Sequence, residues 1–117
     1  PAAASPQVVA RPFTSEAAVD PEEAFVASLS SCHMLWFLSI AADRGLVVDS
    51  YEDRAAGVMG KNAEGRLAMV EVTLAPMVAF AGVAPSPEEL ASLHEAAHRE
   101  CFIANSVKTR VVVKQGA

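Results

Sequence analysis

The stretch DPEEAFVASLSSCHMLWFLSIAADRG, residues 20–45, decides the architecture. Asp20 is a helix N-cap, Pro21 suits the first helical position, and Glu22 and Glu23 put acid in the first turn. From Ala24 to Ala42 the segment is apolar on nearly every face. Phe25, Leu29, Cys32, Trp36 and Ile40 form one stripe, and Val26, Met34, Leu38 and Ala41 fill the others. A helix apolar all round is a buried one. Arg44 and Gly45 end it. The run Ser28-Leu29-Ser30-Ser31 is expected to kink or restart the helix, because serine competes for backbone hydrogen bonds. A restart there would put Cys32 near a helix N-terminus, where free N–H groups favour the thiolate.

Downstream, residues 47–59 and 67–80 read as two strands joined by the loop 60–65, an antiparallel hairpin with a bulge expected at Gly57. Ser86 and Pro87 open a second helix, expected to run to about Asn105 with Leu90, Leu93, Ala97 and Cys101 on one face. Thr109 to Lys114 is a final strand. Upstream, Gln7 to Ala10 could form only an edge strand, ended by Pro12. The order predicts an α+β fold, an antiparallel sheet packed with two long helices, in one domain over residues 1–117. Three or four strands cannot cover so apolar a helix on every side, so a second copy of the chain is expected to help.

Composition agrees. Apolar residues make up 52% of the 117-residue chain and charged residues 20%, with a net charge of -5. No cluster of lysine and arginine marks a nucleic-acid surface. The longest apolar run, Met34 to Ala42, falls short of the roughly 18 residues of a membrane span and follows acids rather than a basic leader. Neither nucleic acid nor membrane is expected as a partner, and the cytoplasm is the expected location. Two cysteines 69 positions apart, without a CxxC motif, are not the framework of a small disulfide-rich domain.

Four sets of residues could carry chemistry. Cys32 is a candidate nucleophile and Cys101 a candidate resolving thiol, although both also suit plain core packing. Glu22 could offer a carboxylate, but on one straight helix it lies about 15 Å from Cys32, so it needs the break at the serines. His94, His98 and Cys101 share a helical side and could hold zinc, with His33 as a fourth ligand. No glycine-rich phosphate loop and no GxSxG elbow occurs.

Pro21-Glu22-Glu23-Ala24-Phe25, a cysteine ten residues after Glu22, and a second cysteine late in the next helix, in HRECFIANSVKTRVVV, together resemble the OsmC/Ohr family of osmotically inducible and organic hydroperoxide resistance proteins. The resemblance covers about residues 20–114. It implies an intertwined homodimer with the long helices at its centre and active sites at the interface. It implies a peroxidase without haem, flavin or metal, so no cofactor. Cys32 would attack an organic hydroperoxide, Cys101 would close a disulfide, and a dithiol reductant, lipoyl-type in one branch, would reopen it. Glu22 would hold an arginine against the thiolate, and Arg11 is the arginine available on the N-terminal side. The family's N-terminal strands are expected to be missing or shortened here. The sequences around both cysteines, Cys-His-Met-Leu-Trp and Cys-Phe-Ile-Ala-Asn-Ser, imply a divergent branch. The alternative to an enzyme is a dimeric protein of the same fold that binds a small lipophilic ligand.

Overall fold

A computed structural model describes residues 20–115. The first helix, α1, spans Pro21–Asp43 without interruption. Asp20 closes a capping box with Glu23: the Glu23 N–H donates to Asp20 Oδ1 at 2.9 Å, and the Asp20 N–H donates to Glu23 Oε1 at 3.4 Å. The break expected at Ser28–Ser31 is absent. Ser28 Oγ donates back to the Phe25 carbonyl at 2.7 Å, and Ser30 Oγ donates across to Asp53 Oδ2 at 2.5 Å. Each hydroxyl is thereby satisfied without costing the helix a backbone bond.

The two expected strands become four: β1 (Val47–Asp53), β2 (Ala56–Lys61), β3 (Leu67–Leu74) and β4 (Pro76–Ala81). They still form one long hairpin in register, with β2 against β3 and β1 against β4, both antiparallel. Two interruptions face each other. Pro76 has no N–H to donate and faces Asp53, and the chain turns aside at Arg54 and Ala55. Asp53 bridges the gap: its Oδ1 accepts the Ala75 N–H at 2.7 Å while its Oδ2 holds Ser30 of α1. At the tip, Asn62 Oδ1 accepts from the Glu64 and Arg66 amides, and Gly65 adopts φ +78°. The bulges fall between Val48 and Ser50 and between Val58 and Met59. Gly57 serves close approach instead: a Cβ there would lie 2.9 Å from Val26 Cγ2 and closer still to Met69 Cε.

Helix α2 (Pro87–Glu100) starts at the Ser86 cap as expected, but stops five residues before Asn105. Cys101 turns to an extended ψ of 105°, and the Asn105 side chain donates to the Arg99 carbonyl at 3.0 Å, replacing a lost helical bond. A single 3₁₀ turn, Ala104–Ser106, leads to β5 (Arg110–Val113). Strand β5 pairs with β3 in parallel, so the three-stranded sheet β2-β3-β5 is mixed rather than purely antiparallel. The cause is the crossover: a helix between two strands of one sheet returns the chain in its starting direction.

Two cores result. Phe37 and Ala41 of α1 pack on Leu93 and Ala97 of α2 and on the β1–β4 pair, and Leu29 packs on Val72 and Leu74 of β3. Helix α1 has a mean hydropathy of 1.6 over 18 residues, which by length and composition alone would suit a membrane span. The residue-by-residue run read from the sequence understated this. Here the helix is the element on which both sheets and α2 pack. Leu35 nevertheless stays 60% exposed.

Candidate functional site

Cys32 and Cys101 are both buried and both free. Cys32 stands in the middle of α1, and Cys101 is the residue at which α2 ends. The helices run in opposite directions: Cys101 meets Cys32 beyond the end of α2, whereas Ser92, nearer its start, accepts a hydrogen bond from Arg44 after the end of α1. Burial pushes the Cys101 thiol up to about 11. The neighbouring Cys32 side chain acts in the same direction. The Ala104 N–H, 3.4 Å from Cys101 Sγ, acts against them. Near neutral pH Cys101 therefore keeps its proton. Cys32 has no helix N-terminus beside it, because the restart at the serines does not occur.

Glu22 lies at the exposed start of α1. With the helix continuous, ten residues separate it from Cys32 by about 15 Å along the axis. It lines a groove of about 470 Å³ formed with Val26, Ser30, Asp53, Met59 and Met69. Within one chain, Glu22 and the cysteines are not brought together. Arg11 lies outside the described residues.

The zinc arrangement does not form. Among the described residues no group of three or more His, Cys, Asp or Glu side chains is placed to hold a metal ion. The early end of α2 removes Cys101 from helical spacing with the histidines and turns it toward Cys32. His94 is directed at His33, with His33 Nε2 3.0 Å from His94 Nδ1, the ring planes 7° apart and the centroids separated by 5.3 Å. Phe37 closes over His94 at 4.5 Å. Burial, with the charges of His94 and then His98, lowers His33 to about 4. Burial also lowers His94, against an opposing pull from Asp53.

Two features differ from the sequence reading. His33, offered there as a fourth zinc ligand with His94, meets it as a hydrogen-bond partner 61 residues away in sequence. Asp53 lies inside the stretch 47–59 that reads as one strand, yet it ties the hairpin gap to α1. Only the proline at 76, which splits a strand, hinted that something must satisfy the backbone there.

A long apolar helix across two antiparallel strand pairs, with one cysteine at its middle and another at the end of a second helix, defines the class as an α+β protein with a buried thiol pair. The family model described as OsmC-like protein matches residues 14–115, and the chain belongs to that family. An OsmC-like protein of unknown function from Vibrio cholerae O1 biovar eltor is 54% identical, with a TM-score of 0.83 over 96% of this chain and 73% of the other. An organic hydroperoxide resistance protein from Elizabethkingia anophelis is similar at 22% identity and a TM-score of 0.68, over 84% of this chain and 66% of that one. The organic hydroperoxide resistance protein OhrB of Bacillus subtilis is similar at 22% identity and a TM-score of 0.67, over 84% and 69%. At that identity the last two speak for the fold alone. A search of curated protein sequences finds no match.

Proposed function

We propose that the protein is a thiol-dependent peroxidase that reduces organic hydroperoxides in the cytoplasm. The observation that carries this reading is the nearness of Cys32 and Cys101, 69 residues apart in sequence and both buried as free thiols. The Cys32 thiolate attacks the terminal oxygen of ROOH. The O–O bond breaks, ROH leaves with a proton, and Cys32 becomes a sulfenic acid. The Cys101 sulfur then attacks the Cys32 sulfur, water leaves, and a disulfide forms. A dithiol reductant, of which a lipoyl group is one form, reopens it by exchange. No metal or organic cofactor takes part.

The same reading includes a homodimer. Leu35 is 60% exposed on α1, the more apolar of the two described α-helices, and a second copy covers such a surface. A dimer also answers the distance between Glu22 and Cys32, since a Glu22 carboxylate can reach a thiol across an interface although it cannot along its own helix. Arg11 is assigned the neighbouring cationic role, favouring the thiolate.

Reduced protein mixed with cumene hydroperoxide should lose two thiols per peroxide consumed, and dihydrolipoamide should restore them. Cys32→Ser should abolish the reaction. Cys101→Ser should lose one thiol and then proceed to the sulfinic acid. Thiol loss no faster than that of free cysteine would defeat the proposal. One observation favours a second reading, a non-enzymatic ligand-binding protein: within a single chain neither a helix terminus nor Glu22 stands beside Cys32. That reading predicts no accelerated thiol loss in the same experiment.

A further inference from the structure

Away from the cysteines, a groove of about 460 Å³ opens between the β1–β4 pair and α2. Its walls are Ser50 and Glu52 of β1, the first four residues of β4, and Leu90 and His94 of α2. The volume lies in the ordinary range for small-molecule sites. Neither cysteine lines it.

The distinctive member is His94. It is 4% exposed, yet it lines the groove. Its Nδ1 is engaged with His33 Nε2 at 3.0 Å, while its Nε2 makes no hydrogen bond among the described residues and is not among the nitrogens sealed in the interior. His33 fixes which nitrogen of His94 carries the proton. His33 is fully buried and its Nδ1 has no partner. Were His94 the donor, neutral His33 would bear its hydrogen on Nδ1 and bury an N–H without an acceptor. The opposite arrangement leaves only an unused lone pair there, and a buried orphan N–H is the rarer and costlier of the two. His33 therefore donates through Nε2, His94 accepts at Nδ1, and His94 Nε2–H remains free to donate into the groove.

The other walls limit what can accept that bond. Pro76, Met77, Val78 and Leu90 offer apolar contact. Among the described residues no cationic side chain lines the groove, and the one carboxylate that does, Glu52, pairs with Arg54 at 3.9 Å in a solvent-exposed contact. Burial keeps His94 itself neutral near pH 7. An anion would find no counter-charge and a nearby carboxylate.

We propose that this groove is a second binding site, for a small, uncharged, mainly apolar carbonyl compound whose oxygen accepts a hydrogen bond from His94 Nε2–H. The site is independent of the thiol chemistry, and its test involves no peroxide, so either idea can fail without the other.

The probe is 2-acetylnaphthalene, with 2-ethylnaphthalene as the match lacking the oxygen, titrated into the reduced full chain and followed by long-range ¹H–¹⁵N correlation of the imidazoles. The free protein should show His94 protonated at Nε2. The ketone should shift that nitrogen saturably, and the hydrocarbon should bind about fivefold weaker, the worth of one net hydrogen bond. Leu90→Trp should fill the groove and weaken ketone binding by about tenfold or more. Met77→Trp, at a position already 41% exposed, does the same from the rim without touching the core. A His94 protonated at Nδ1, equal affinity for the two probes, or binding unchanged in the folded Met77→Trp protein would overturn the proposal.

Discussion

Acidification should destabilise this fold through His33, and the size of the effect follows from its burial. His33 is fully enclosed between α1 and α2, where it faces His94 and His98, and it takes up a proton in the folded state only near pH 4. In the unfolded chain it does so near 6.5. Between these values the unfolded state binds more protons, so stability rises with pH across the window and is lost as pH falls through it. Each pH unit of separation is worth about 1.4 kcal/mol. From pH 7 to pH 4.5 the His33 contribution integrates to a loss of about 2.5 kcal/mol, roughly half of it by pH 5.5. Urea denaturation at these three pH values measures it, with His33→Leu as the reference, since the carboxylates titrate alike in both proteins. The variant should lose less stability than the wild type by about that amount. The imidazole can also be followed directly by NMR. If His33 titrates near 6.5 in the folded protein, or if both proteins lose the same stability, the reasoning fails.

Three other outcomes follow from particular contacts. Asp53→Ala should cost about 2–3 kcal/mol in urea denaturation, because the Ala75 N–H and the Ser30 hydroxyl lose their acceptor together, and it should speed hydrogen exchange at Ala75. Asp53→Asn, which keeps one acceptor oxygen, should recover part of that loss, whereas equal losses would assign the effect to packing. Gly57→Val should cost about 1–3 kcal/mol, since Val26 Cγ2 would sit 2.9 Å from the new Cβ on a helix that cannot retreat, and an unchanged urea midpoint would show that the strand shifts freely. In the reduced protein Cys101 should resist iodoacetamide through pH 9 and react only as pH nears 11, and half-maximal labelling at Cys101 near pH 8.5 would refute the upward shift that burial gives this thiol.

The sequence by itself determined the elements whose signals are local. Asp20, Pro21 and the two glutamates mark the start of α1, Ser86 and Pro87 that of α2, and Asn62 with Gly65 marks the hairpin tip, because caps and tight turns involve residues within about four positions of each other. The spacing of Glu22, Cys32 and Cys101 marked the family, to which the chain belongs. Features that depend on distant groups needed the tertiary structure. Whether Ser30 would break α1 turned on Asp53, 23 residues away, which takes its hydroxyl and leaves the helix whole. Where α2 ends turned on Asn105 reaching back to Arg99 and on Cys101 turning toward Cys32. His94 and His33 read as zinc ligands with His98 and Cys101, yet the two meet as a hydrogen-bonded pair from separate helices. A side chain's polar group goes to whichever partner the fold brings within hydrogen-bond reach, and only the packing of α1 against α2 and the hairpin decides which partner that is.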